Sequence, residues 1–367
     1  MNVNSYMPVR IVSGKNCLSD NEDLITSKGK KCLILTGKSS AKLSGALDDV
    51  TDILDKKEIL YCIFDEIEPN PFTETCKKAG DVAFNFGAEF IIGIGGGSVL
   101  DAAKAVAIYA SNQNFSHSDI YNRVIPALHL PVILIGTTSG TGSEVTGVSV
   151  LTNSDTGLKK SISGSDCYSD ISFCDYSYTK STNTDVRIST ALDAFSHAVE
   201  AILASSSNEM VVLYGKKAIS LMAPYILEGN FSNFDDSDFE NLYIASIYAG
   251  LAINISGTDF PHTVGYHLTE SYGISHGKAC AVFMPELLLR AKKYCPEKLR
   301  TILETIDTDI ETLSHAVSAL ADVSVRISRE EASCISLRWK SGVKNFDRTP
   351  GGYTSEDAEK ALLSLNK

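Results

Sequence analysis

The sequence predicts an α/β unit on a mostly parallel sheet, followed by an all-helical unit. Two observations carry that prediction. In the first half, short apolar runs alternate with single helix-like segments, the pattern of βαβ units. After about Asp175 the strand-like runs fade and long amphipathic stretches take over. The length agrees, because 367 residues at roughly 100–200 per domain suggest about two domains. The expected division is 1–177 and 178–367.

The elements follow in order. Cys32-Leu33-Ile34-Leu35-Thr36 is a short apolar run ending at Gly37 and reads as a buried strand. Ser39 to Lys57 has helical spacing of Leu43, Leu47, Val50 and Leu54. Ile59 to Phe64 is a second strand, cut by the turn Glu68-Pro69-Asn70-Pro71. Thr73 to Phe86 reads as helix. Phe90 to Ile94 is a third strand, broken by Gly95-Gly96-Gly97. Ser98 to Tyr109 is a helix with Ser98 as its cap candidate. Val132 to Ile135 is a further strand. Beyond it, the stretches 187–204, 207–226, 238–255, 276–293 and 308–322 read as helices, with 228–237 as a loop.

Composition excludes several classes. Hydrophobic residues make up 44% and charged residues 21%, which rules out wholesale disorder and a coiled coil. The net charge of -12 argues against a nucleic-acid partner, since an acidic surface repels phosphate backbones. No apolar run approaches the ~18 residues of a membrane helix. Met1 to Arg10 lacks a cationic stretch followed by an apolar one, so no signal peptide is expected. The nine cysteines are scattered without a CxxC pair, and read as reduced cytoplasmic thiols filling the core.

Three signals could carry chemistry. Gly95-Gly96-Gly97-Ser98 lies between a buried strand and a helix, where glycines admit a phosphate to the backbone and the helix start offers N–H groups. A plain tight turn would look the same, and the third glycine of the Rossmann fingerprint is missing. The stretch from Gly136 to Thr146, rich in Gly, Ser and Thr, also follows a strand and can present many donors to a polar ligand. Two such loops after adjacent parallel strands favour the phosphate reading. The third signal is histidine. Of seven, His197, His262, His267 and His276 fall within one region, and Asp193 precedes His197 by one helical turn. A buried Asp–His hydrogen bond would account for that pair. With His262 and His276 added, the set offers one oxygen and three nitrogens, which suits Fe(II), Zn(II) or Mn(II). His117, His129 and His315 stand apart.

These stretches together resemble the iron-containing (group III) alcohol dehydrogenases, which group with glycerol dehydrogenase and dehydroquinate synthase. The matching residues are Glu68 to Pro71, Gly95 to Ser98 with Asp101 and Lys104, Thr137 through Thr146, Asp193-x-x-x-His197-Ala198-x-Glu200, and His262 with His276-Gly277. The resemblance spans nearly the whole chain. It implies an N-terminal dinucleotide-binding α/β domain, an all-α C-terminal domain and a site in the cleft between them. It implies Asp193, His197, His262 and His276 as metal ligands. It implies Gly96, Gly97 and Ser98 on the pyrophosphate, with Asn70, Asp101, Thr137, Thr138, Ser143, Thr146 and Lys159 around the cofactor. Many members carry a further histidine four residues after the third ligand, discussed as a proton relay. Here that position is Tyr266, and His267 comes one later, turned by about 100° on a helix. His267 and His276 are the candidates for handling the proton. The usual Pro before the Thr-Thr pair is Gly136 here.

The expected activity is a metal-dependent, NAD(P)-linked alcohol dehydrogenase interconverting a small primary alcohol and its aldehyde. A glycerol dehydrogenase-like polyol oxidoreductase and a dehydroquinate synthase-like lyase are the alternatives, with a non-catalytic nucleotide-binding protein behind them. The expected metal is Fe(2+), with Zn(2+) as the second choice. NADP(H) is expected over NAD(H), because the segment after the first strand, Thr36 to Lys42, has no acid to repel a 2′-phosphate. Gly37 stands where the family's acid would fall, and Ser40 with the neighbouring lysines can receive the phosphate. The expected partners are a small alcohol or aldehyde, no nucleic acid and no membrane, with a homodimer as the candidate assembly. The expected location is the cytoplasm.

Overall fold

The apolar runs that read as buried strands pair with one another in parallel. The computed structural model describes residues 5–366; Lys367 and Met1 to Asn4, the latter part of the segment read for a signal peptide, lie outside them. Eight strands are described: β1 (Arg10–Ser13), β2 (Lys31–Gly37), β3 (Leu60–Ile67), β4 (Phe90–Gly95), β5 (Val132–Gly136), β6 (Val148–Thr152), β7 (Lys159–Ser163) and β8 (Ile171–Cys174). Six form one sheet in the order β1-β8-β5-β4-β2-β3, and β6 pairs with β7 in an antiparallel ribbon. Every pairing in the larger sheet is parallel. β4, β5 and β8 are buried along their whole length, as expected for strands covered on both faces. One face packs Leu33, Leu35, Ile91 and Leu134 with the helices Thr73–Phe86 and Gly97–Ser111. The other packs Ile34, Ile92, Ile133 and Phe173 with the helix Ala46–Lys56.

The order places a switch point at the ligand loops. From β2 the chain steps to β3 on one side, then returns to β4 on the other side of β2. The carboxyl ends of β2 and β4 are therefore where a doubly wound sheet opens a crevice. Gly37 ends β2 and Gly95 ends β4.

Within the sheet unit, two helices differ from the sequence reading. The single helix expected over Ser39 to Lys57 is broken into Ser40–Leu43 and Ala46–Lys56, because Gly45 takes a left-handed turn at φ 83°. Ser98 is not the cap of its helix: Gly96 occupies that position, and the Ser98 hydroxyl accepts a hydrogen bond from the Asn70 N–H at 3.1 Å.

The chain divides into two compact units. One contains Tyr6–Thr182 and Asp235–Tyr243, and the other contains Asn183–Phe234 and the chain from Ile244 onward. The second is helical throughout. Its helix Thr184–Leu203 is capped by Asn183, whose side chain accepts from the Val186 N–H at 2.9 Å, and is buried nearly throughout from Ser189 to Leu203. The stretch expected as one helix over 276–293 is two, His276–Ala281 and Met284–Tyr294. The helix Glu209–Glu228 is long and apolar enough to cross a membrane by length and composition. Lys216 and Lys217 interrupt it, which is why no unbroken apolar run showed in the sequence. Its Val211, Ala218, Ile219, Met222 and Ile226 are buried within the protein.

Candidate metal centre and dinucleotide loops

Three helices of the helical unit converge on one carboxylate. Thr184–Leu203 carries Asp193, His197 and Glu200 on successive turns of one face. Phe260–Tyr272 begins with Pro261 in its first turn and presents His262, and His276–Ala281 presents His276. Two glycines permit the approach. A Cβ on Gly265 would lie 2.8 Å from the carbonyl oxygen of Ala279, and one on Gly277 would strike the carbonyl oxygen of Ser189.

The geometry is that of a donor set. Oδ1 of Asp193 lies 3.7 Å from Nε2 of His197, 3.3 Å from Nε2 of His262 and 3.7 Å from Nε2 of His276. The rings of His197 and His262 stack at 4.5 Å between centroids. Burial pushes the Asp193 carboxyl up, but the imidazoles of His197, His276 and His262 outweigh it and hold the carboxyl well below the usual range. Burial disfavours a charged His262, yet Cys280, Glu200 and Asp193 hold its imidazole well above its ordinary value. One carboxylate oxygen with three imidazole nitrogens within 3.7 Å of it fits a divalent transition metal. The four residues the resemblance implied as ligands are thus brought together.

Residues that carried no role in the sequence also meet here. Glu200 Oε1 lies 2.6 Å from Nδ1 of His262, a contact that can hold the ring's orientation. Its other oxygen accepts from the Asp259 N–H at 2.8 Å. The Asp259 carboxyl is fully buried, with neither oxygen hydrogen-bonded among the described residues, and burial followed by Glu200 pushes it well up. Cys280, read from sequence as core filler, is fully buried with Sγ 3.7 Å from Nδ1 of His276. Its signal was present in the sequence: it follows His276 by one turn, as His197 follows Asp193.

His267 is placed differently. Its Nδ1 lies 3.1 Å from the Ser271 hydroxyl and its Nε2 3.2 Å from Glu331 Oε1, so both ring nitrogens are engaged. Tyr266, at the position of the family's relay histidine, stacks on His276 with centroids 5.5 Å apart.

In the sheet unit, the two Gly-rich loops close on each other at the carboxyl ends of β4 and β5. The Thr137 N–H donates to Gly95 O at 2.9 Å. A Cβ on Gly96 would sit 3.2 Å from the Thr138 side chain, and one on Gly97 would strike Thr141. Asn70, held at φ 56°, donates to Ser98 and accepts from the Thr152 hydroxyl at 2.8 Å. Asp101 accepts from the Ser143 hydroxyl at 2.6 Å and from the Val150 N–H at 2.8 Å. Lys104, fully buried, donates to the Ser143 hydroxyl at 2.8 Å and to the carbonyl oxygens of Thr146 and Val148 at 3.0 and 2.8 Å. Asp101, Lys104, Ser143 and Thr146 thus form an internal brace that fixes the loop to the helix. Lys159 lies on β7 opposite Thr152. The Thr137 hydroxyl is buried with no hydrogen-bond partner among the described residues, a group that a bound ligand can satisfy. Gly37 and Ser40 sit at the end of β2, and β3 brings Asp65 to 3.8 Å from Lys38, an acid that the linear segment did not show.

Comparison with known proteins agrees with this architecture. Residues 8–176 match the family model for iron-containing alcohol dehydrogenase, and residues 187–333 match that for the C-terminal part of the Fe-containing alcohol dehydrogenase family. The chain is 30% identical to a 1,3-propanediol dehydrogenase of Klebsiella pneumoniae over 94% of its length and 88% of the relative's. It belongs to the iron-containing alcohol dehydrogenase family. An NADPH-dependent butanol dehydrogenase of Clostridium saccharobutylicum is 27% identical over 88% of this chain and 83% of the relative. The crystal structure of an iron-containing alcohol dehydrogenase from Thermotoga maritima superposes with a TM-score of 0.90 at 34% identity, covering 99% of each chain. Membership makes this dehydrogenase-family chain an oxidoreductase and implies a metal and a nicotinamide cofactor. Both fit the residues present, by the donor set around Asp193 and by the unsatisfied Thr137 hydroxyl between the glycine loops.

Proposed function

We propose that this protein is a metal-dependent alcohol dehydrogenase that interconverts a small primary alcohol and its aldehyde, with NADP(H) preferred over NAD(H). The observation that carries the reading is the convergence of three imidazoles on one buried carboxylate oxygen. A divalent cation held by Asp193, His197, His262 and His276, Fe(II) first and Zn(II) second, supplies Lewis acidity that lowers an alcohol's pKa, and the nicotinamide supplies the hydride acceptor. The chain's own residues do the rest. Glu200 orients His262 and fixes its tautomer. Gly96, Gly97 and Ser98 offer backbone N–H groups at a helix start to the pyrophosphate. Asn70, Thr137, Thr138 and Lys159 are the residues assigned around the cofactor, and the Asp101–Lys104–Ser143 brace with Thr146 holds the loop. His276 keeps 28% side-chain exposure, while Asp193, His197 and His262 keep 7% or less, so the proton leaves on the His276 side. The relatives named for 1,3-propanediol and butanol support a short primary alcohol or diol as substrate.

The cofactor preference rests on Thr36 to Lys42, which offers Ser40, Lys38 and Lys42 and no acid. Asp65 partly matches the Lys38 charge. Asp65→Asn is expected to strengthen the preference for NADPH, and Gly37→Asp to reverse it, with the added Cβ 3.2 Å from the Ile67 carbonyl oxygen. Steady-state kinetics with an aldehyde panel and both cofactors tests this. Higher kcat/KM with NADPH supports the preference, and higher kcat/KM with NADH overturns it. Net NADPH oxidation by a simple aldehyde also separates a dehydrogenase from a lyase that uses bound NAD transiently.

A further inference from the structure

The ring of metal-capable side chains is larger than the set carried by the sequence motifs. Cys280 lies on the same short helix as His276, and its side chain is fully buried. Its Sγ is 3.7 Å from Nδ1 and 3.8 Å from Nε2 of His276. Sγ and one ligand atom each from Asp193, His262 and His276 all lie within 4.8 Å of one another. Donors that share one cation, at bond lengths of about 2.0–2.3 Å, stand at most about 4.6 Å apart. The four atoms are therefore near enough to one another to share an ion after a modest inward shift. A cysteine that merely fills space faces apolar neighbours. This one faces a carboxylate and imidazoles instead.

We propose that Cys280 is a direct metal ligand, joining Asp193, His262 and His276 as a thiolate, with His197 completing the set. Resting on the metal-site reading above, it adds a sulfur donor to that site. On binding a divalent cation the thiol proton leaves to water and the sulfur–metal bond forms, with no change of oxidation state. A sulfur donor softens a site otherwise built from nitrogen and oxygen, and both candidate ions, Fe(II) and Zn(II), accept a thiolate.

X-ray absorption at the zinc edge of the zinc-loaded, full-length protein tests the proposal without relying on activity. The expected wild-type spectrum has one sulfur scatterer at about 2.3 Å beside nitrogen and oxygen at about 2.0–2.1 Å. The sulfur shell should vanish in Cys280→Ser, with zinc still bound. A wild-type spectrum with nitrogen and oxygen alone overturns the Cys280 proposal and leaves the metal-site reading standing. A sulfur shell that survives in Cys280→Ser assigns the sulfur to another cysteine and also overturns it. Wild-type protein that binds neither zinc nor iron overturns both. If Cys280→Ser does not fold, Cys280→Ala is measured in the same way, with the same outcomes deciding.

Discussion

One carboxylate oxygen serving three imidazoles makes the centre sensitive to the groups that orient those rings. Glu200 is the clearest, at 2.6 Å from Nδ1 of His262. Removing a carboxylate behind a ligating histidine typically lowers metal affinity 10–100-fold, so Glu200→Gln should weaken metal binding by about tenfold and Glu200→Ala by more. Competition with a chelator measures it; unchanged affinity would show that Glu200 does not orient the ligand. His267 also bears on stability. Burial, only partly offset by Glu331, holds its pKa below the ordinary value. The neutral form is then favoured by folding. Its contribution is present above the unfolded value near 6.5 and is lost as pH falls through the lowered folded value. His267→Gln, neutral throughout, should show a shallower loss of urea midpoint between about pH 7 and about pH 5 than the wild type. Equal slopes would contradict this. At this scale much was legible: Asp193 and His197 one turn apart declared a shared face, and the one-residue offset of His267 turned it toward Ser271. Glu200's contact with His262 was not legible, because the two residues meet only through the packing of separate helices. Cys280 was legible in spacing, and was masked by eight other scattered cysteines, none of which has a histidine one turn away.

Elements bring these residues together through glycines. Gly277 packs His276–Ala281 against Thr184–Leu203 with no room for a methyl group, since a Cβ would strike backbone at Ser189. Gly277→Ala should destabilise the fold by about 3 kcal/mol, the upper part of the usual overpacking range, and should lower the metal content at the same time. Chemical denaturation and metal analysis check both, and a variant with wild-type stability would contradict the packing argument. Gly97→Val should raise the cofactor dissociation constant strongly while leaving the metal in place. The valine enters the space between Gly97 and Thr141, where the two loops meet. Titration with NADPH decides it, and unchanged affinity would remove the loop from the phosphate site. Strands were legible where they are wholly apolar, as in β4 and β5. β1 and β8 span only four residues each, and β7 is Lys-Lys-Ser-Ile-Ser, so neither length nor apolarity announced them. The helix break at Gly45 was hidden because Leu43, Leu47, Val50 and Leu54 keep helical spacing across it.

At the scale of the whole molecule, the alternation of strands and helices followed by helices alone was enough to anticipate a parallel sheet unit and a helical unit. The sheet order was not legible, because strand spacing along a chain does not say on which side of β2 the next strand lies. That order is what puts Gly37 and the Gly95–Gly97 turn at a switch point. Nor could spacing show that Asp235–Tyr243 groups with the sheet unit rather than with the helices around it in sequence. The central claim is that this family member moves hydride only with a metal at Asp193, His197, His262 and His276. The most direct measurement follows NADPH oxidation by a short aldehyde in three preparations: chelator-stripped protein, the same protein reloaded with Fe(II) or Zn(II), and reloaded His262→Ala. Turnover should vanish on stripping, return on reloading and stay absent in His262→Ala. Full turnover in the stripped protein, or none in the reloaded wild type with any aldehyde and either cofactor, would contradict the account.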